Sequence, residues 1–170
     1  MVFGMSLATY TLLHTLISLV GILTGLIVLF GLLTGKRMDR WTAVFLSTTV
    51  ATSLTGYGFP VERLLPSHIV GFISLIVLTI AIVARYTFRL RGAWRRIYVV
   101  TAALALYLNV FVGIIQAFLN VPALKAIAPK QTEPPFLIAQ LTVLALFVVL
   151  TTIAAIRFPR QDSVVSKSIA

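Results

Sequence analysis

The sequence predicts an all-α fold: a polytopic membrane protein, one bundle of five transmembrane helices, with the N-terminus outside and the C-terminus in the cytoplasm. Three observations predict it. Of the 170 residues, 59% are hydrophobic and only 11% are charged, whereas a soluble domain of this size carries about a quarter charged residues. The charges are clustered, and the runs between them approach the ~20 helical residues that cross a bilayer. The basic residues also fall mostly on one side of those runs.

The first run covers roughly residues 9–34 and the second roughly 41–57. The third covers roughly 68–84, the fourth 97–119 and the fifth 135–156. The second and third are short, and a four-span arrangement would make one of them re-entrant. The N-terminal stretch MVFGMSLATYTLLHTLIS lacks a basic leader segment and runs on past a normal signal core, so it reads as part of the first span. Residues 1–158 are expected to form a single transmembrane domain, and residues 159–170 a disordered cytoplasmic tail. No internal repeat is evident.

Orientation follows from Lys and Arg. Lys36, Arg37 and Arg40 follow the first span; Arg85, Arg89, Arg91, Arg95 and Arg96 follow the third; Arg157, Arg160 and Lys167 follow the fifth. Only Arg63, Lys125 and Lys130 stand on the other side. The positive-inside rule then sets the N-terminus out and the C-terminus in. The expected setting is a bacterial inner membrane. The net charge of +10 needs no nucleic acid, because basic residues beside apolar runs serve lipid orientation. The loop Arg85–Arg96, RYTFRLRGAWRR, is expected to lie on anionic lipid, with Tyr86, Phe88 and Trp94 as interfacial anchors.

The outer loops differ in kind. Gly58–Pro66 is apolar with two prolines, and Asn120–Pro135 holds four. Pro66 and Pro135 stand where spans begin, which suits a residue without an N–H. The second loop is long and apolar enough to lie over the bundle as a cap.

GILTG (Gly21–Gly25) and GLLTG (Gly31–Gly35) put small residues four apart on one face of the first span. Such a face allows close helix approach, within the chain or in a homo-oligomer. The hydroxyls Ser47, Thr48, Thr49, Thr52, Ser53 and Thr55 of the second span can bond to their own helix carbonyls.

Asn109, Gly113, Gln116 and Asn120 form one stripe of the fourth span, in its outer half. Amides in hydrocarbon need partners or water. The stripe therefore serves either interhelical hydrogen bonding or a ligand-lined cavity.

The two histidines reach the same level. At 1.5 Å per residue, His14 lies about 30 Å above Thr34 and His68 about 24 Å above Ala84. Gln140 enters the same layer from the fifth span. His14, His68, Asn109, Gln116, Asn120 and Gln140 thus form the candidate binding set, facing outward, with His14 and His68 as candidate metal ligands. Taken singly, either histidine also reads as an interfacial side chain, like Tyr10 nearby. Neutral imidazoles suit haem iron, copper or zinc, and they hydrogen-bond quinone oxygens. Two histidines without a carboxylate in the spans make a poor closed zinc site. In plan the arrangement resembles small helical membrane cytochromes that hold haem between spans. That resemblance rests on the two histidines alone and implies His14 and His68 as axial ligands of one b-type haem.

Other classes are excluded or disfavoured. Cysteine is absent, which removes disulfides, Cys-ligated zinc and iron–sulfur clusters. No glycine-rich nucleotide motif, zinc-protease motif or serine-nucleophile motif occurs. No charge lies in the core of any span, against the habit of proton-coupled carriers. The leading expectation is an outward-facing site for a redox cofactor (haem b), a metal or a quinone-like ligand. The alternatives are a non-catalytic membrane subunit or assembly partner of a larger complex, and a facilitator for a small neutral solute.

Overall fold

The structure is a computed structural model that describes residues 4–60 and 66–158. The expected tail, with Arg160 and Lys167, and the loop residue Arg63 lie outside the described residues. Six α-helices follow in order: α1 Leu7–Leu33, α2 Asp39–Gly56, α3 Pro66–Ile82, α4 Trp94–Asn120, α5 Pro122–Ile127 and α6 Pro134–Arg157. The described residues are helical with no strand. α3 continues through a π-helical turn, Val83–Thr87.

Four helical segments are long and apolar enough to cross a membrane: Leu7–Leu33, His68–Thr87, Trp94–Asn120 and Pro134–Arg157. The fifth long helix, α2, has 18 residues, of which seven are Ser or Thr, and this makes it less apolar than the rest. Local chemistry sets the ends. Ser6 caps α1 by accepting the Thr9 N–H at 3.1 Å. Gly35, at φ 70°, takes the left-handed conformation that closes α1. Pro134 opens α6, where its missing N–H costs nothing.

Consecutive long helices run antiparallel. α1 and α2 touch from the turn that joins them, where Gly31 meets Met38, to the opposite end, where the Tyr10 hydroxyl donates to the Thr55 carbonyl at 2.7 Å. α2 meets α3 through Ser53 and Ser74, 3.2 Å apart. α4 meets α6 at three levels: Phe118 on Phe136, Tyr107 on Phe147, and Arg95 on the Ala155 carbonyl. α1 and α4 are the central helices, α1 packing on α2, α4 and α6, and α4 on α3 and α6 as well.

The apolar core fills the half of the bundle nearer the α1–α2 turn, where Val28, Leu32, Phe45, Leu78, Val99 and Leu106 are all buried. The glycines of α1 explain how the helices come so close. A Cβ on Gly25 would stand 2.5 Å from Leu106 Cδ1 and 2.9 Å from the Phe45 ring. Gly21, Gly25 and Gly31 are buried inside their own chain, so the small-residue face serves internal packing. The loop Asn120–Pro135 folds against α4 and α6: Ala128 is buried with Phe118 and Phe136, and Gln131 Nε2 donates to the Ile115 carbonyl at 2.9 Å.

Candidate functional site

α2 ends between α1 and α3, and its last turn organises the end of the bundle that carries both histidines. Thr55 and Tyr57 are two residues apart, about 200° around the axis, so they serve opposite flanks. On the α1 flank, His14 Nδ1 lies 2.8 Å from Thr55 Oγ1. Thr55 Oγ1 also lies 2.7 Å from the Ala51 carbonyl oxygen, which can only accept. The single Thr55 proton therefore goes to Ala51, and His14 Nδ1–H donates to the threonine lone pair. In the neutral ring this leaves Nε2 with a free lone pair. No hydrogen bond to Nε2 occurs among the described residues. The Phe59 ring stands edge-on to His14, with centroids 5.2 Å apart.

On the α3 flank, the Tyr57 hydroxyl donates to the His68 carbonyl at 2.7 Å. The His68 imidazole is buried, 8% exposed, and its centroid is 5.4 Å from that of Tyr57. The two histidines thus share a level, but they contact different side chains on opposite flanks of α2. Beside Thr55 and Tyr57 lies a groove of about 340 Å³ with largely apolar walls, lined by Tyr10, Leu54, Thr55, Tyr57 and Gly58.

The amides do not all join this set. Asn109 lies deeper, buried where α1, α2 and α4 meet. The Cβ position of Gly21 is 3.0 Å from Asn109 Nδ2, 3.2 Å from Thr49 Oγ1 and 3.4 Å from Thr48 Oγ1. Both threonines donate to their own helix, to Phe45 and Val44, so they offer only lone pairs here. Asn109 Nδ2 is buried without a hydrogen-bond partner. Gly21 is seven residues below His14 on α1, about 10 Å. Gln140 is buried between α6 and α4 and donates to the Phe111 carbonyl at 3.2 Å; its Oε1 is unpartnered. Gln116 and Asn120 are exposed, and Asn120 Nδ2 donates to Gln116 Oε1 at 3.1 Å. Among the described residues no group of three or more His, Cys, Asp or Glu could hold a metal ion.

Sequence reasoning missed the residues that seat the histidines, namely Tyr10, Thr55 and Tyr57. The signal was the polar end of α2, STTVATSLTGY, facing two histidines at matching depth. It also missed Arg85, expected on lipid with the rest of its loop. The helix runs one turn further and buries Arg85, 6% exposed, in an ion pair with Asp39. The guanidinium also lies 5.2 Å from the centre of the Tyr98 ring.

No protein-family model, curated protein or solved structure matches this chain.

Proposed function

We propose that this chain is an integral membrane protein of a bacterial inner membrane, crossing five times with its N-terminus out and C-terminus in. We further propose that it binds a quinone-like ligand at its outward end. The observation that carries the binding reading is the His14 imidazole, held through Nδ1 by Thr55, a residue that also lines the mostly apolar groove of Tyr10, Leu54, Tyr57 and Gly58. A hydroquinone hydroxyl suits the imidazole's Nε2 lone pair, and a planar ring suits the groove walls. Cofactor pockets commonly combine such apolar walls with one or two fixed polar groups.

The opposite flanks taken by His14 and His68 favour a hydrogen-bonded ring over one haem iron held axially by both. The same Nδ1–H···Oγ1 bond that frees Nε2 would also orient it toward a metal, so haem stays as the rival outcome. The test is the absorption spectrum and the organic-extractable content of the chain purified in mild detergent. A co-purifying quinone, lost in His14→Ala and reduced in His68→Ala, is the expected result. A Soret band without quinone would replace this reading with the haem cytochrome. Protein free of both, with each variant indistinguishable from wild type, would leave the non-catalytic membrane subunit.

A further inference from the structure

The inner end of the bundle carries a second feature, independent of the outer groove. After the π-helical turn the chain makes a tight, fixed loop. Arg89 and Leu90 take left-handed conformations (φ 48° and 60°), followed by Gly92 (φ 53°). Non-glycine residues hold such angles only where the surroundings over-determine them. Here Leu90 is buried in the core, 4% exposed, and its N–H donates to the Ala84 carbonyl at 3.1 Å. Phe88 stacks flat on Trp94, with centroids 3.8 Å apart and planes within 3°. The loop bounds a cleft of about 360 Å³ lined by Thr87, Phe88, Arg89, Arg91 and Trp94.

The structure sorts the loop's arginines by role. Arg85 is buried on Asp39 and Arg95 is buried against the Ala155 carbonyl. Arg89 and Arg91 are exposed, line the cleft and make no ion pair among the described residues. α4 starts at Trp94 with no acidic residue in its first turn and no side-chain cap. Its positive dipole end therefore adds to the two guanidinium groups. An aromatic wall and two cations that share one cleft at a helix start suit an amphiphilic anion.

We infer that this cleft is a binding site for the phosphodiester headgroup of an anionic phospholipid. The phosphate sits between Arg89 and Arg91, and the glycerol and upper acyl chain lie on Phe88 and Trp94. Arginine suits phosphate by its forked donors, and aromatic rings favour the headgroup level. A site of this kind differs from general attraction by a basic surface, because it depends on two residues rather than on net charge.

Trp94 is a probe within the cleft, and Trp41→Phe removes the other tryptophan. The Trp41→Phe protein is reconstituted in phosphatidylcholine bilayers and titrated with phosphatidylglycerol brominated on its acyl chains, which quenches nearby indole. The expected result is saturable quenching at a lower lipid fraction than brominated phosphatidylcholine requires, by roughly fivefold for each contributing arginine. Arg89→Gln with Arg91→Gln should abolish the preference. Arg37→Gln with Arg40→Gln, an equal loss of charge at the α1–α2 turn and the start of α2, should leave it intact. Equal losses in the two double variants, or no preference in the parent, would overturn the site. Relief of quenching by millimolar inorganic phosphate would overturn the lipid assignment in favour of a soluble phosphate ligand.

Discussion

Gly25→Ala is the sharpest probe of how the bundle is held together. The added methyl would meet Leu106 Cδ1 at 2.5 Å and two Phe45 ring carbons at 2.9 Å. Carbon atoms prefer about 3.5–4.0 Å, so something must move by about 1 Å. Neither neighbour has room, because Phe45 and Leu106 are each 1% exposed. Overpacking of this kind costs about 1–3 kcal/mol. Alanine returns about 1 kcal/mol of helix propensity, which leaves a net loss of up to about 2 kcal/mol. For a chain of this length that lowers the thermal midpoint by up to about 8 °C. Gly113→Ala is the internal control: its nearest neighbour, Ile22 Cδ1, is 3.4 Å away, an ordinary contact. Gly113→Ala should hold or raise the midpoint. The assay is thermal unfolding of wild type and both variants in one detergent. A Gly25→Ala midpoint at or above wild type would refute the packing argument. So would a Gly113→Ala loss as large as that of Gly25→Ala.

Two further predictions follow from the buried polar groups and the charge pattern. Asn109→Leu removes a buried amide whose Nδ2 has no partner, and an unmade hydrogen bond of this kind costs about 1–3 kcal/mol. The midpoint should rise by a few degrees, with ligand occupancy at the outer groove unchanged; a fall would mean that a bound group satisfies the amide. A reporter fused after Phe158 should be active only in a cytoplasmic format, and a small tag inserted at Gly58 should be reachable only from the outside. Labelling of that tag from the cytoplasmic side would sink the five-crossing topology.

The helices were legible because hydrocarbon demands long apolar runs closed by polar residues, and the observed ends fall within about three residues of those read from the sequence. Depth along each helix was legible for the same reason, since rise per residue is fixed. Direction around each axis was not. The stripe of Asn109, Gln116 and Asn120 is real, yet Asn109 is buried and the other two are exposed. α1 covers that face at Gly21 and Ile22 but not along its whole length, because packed helices cross at an angle. His14 and His68 likewise kept their depth, while packing on α2 decided which flank each one took. Arg85 was misread for another reason. A basic residue after an apolar run looks like a loop residue until Asp39, the first residue of α2, supplies a counter-charge that lets the helix carry it inward.

What supports the proposed fifth crossing is the way α2 hides its polarity. A hydropathy average treats each serine or threonine as a polar group brought into lipid. In α2 five of the seven groups are satisfied locally: Ser47, Thr48, Thr49, Ser53 and Thr55 each lie within hydrogen-bonding distance of a carbonyl three or four residues back, whereas Thr42 accepts from the Tyr98 hydroxyl and Thr52 Oγ1 is buried without a partner. The hydroxyl cost that the average counts is therefore largely absent. α2 also has protein on more than one side, packing on α1, α3 and α4, so less of its surface meets lipid than that of α6, where Ile138, Leu141 and Ile156 are exposed. Its 18 residues span about 27 Å, close to the hydrocarbon thickness of about 30 Å. It runs beside α1 from the Gly31–Met38 contact to the Tyr10–Thr55 bond, so a membrane thick enough for α1 contains α2 as well. If α2 crosses, the loops holding Lys36, Arg37 and Arg40, the loop Arg85–Arg96 and Arg157 all fall on one side. If it does not, the first of those basic loops is separated from the others by the bilayer, against the charge rule that the rest of the chain follows.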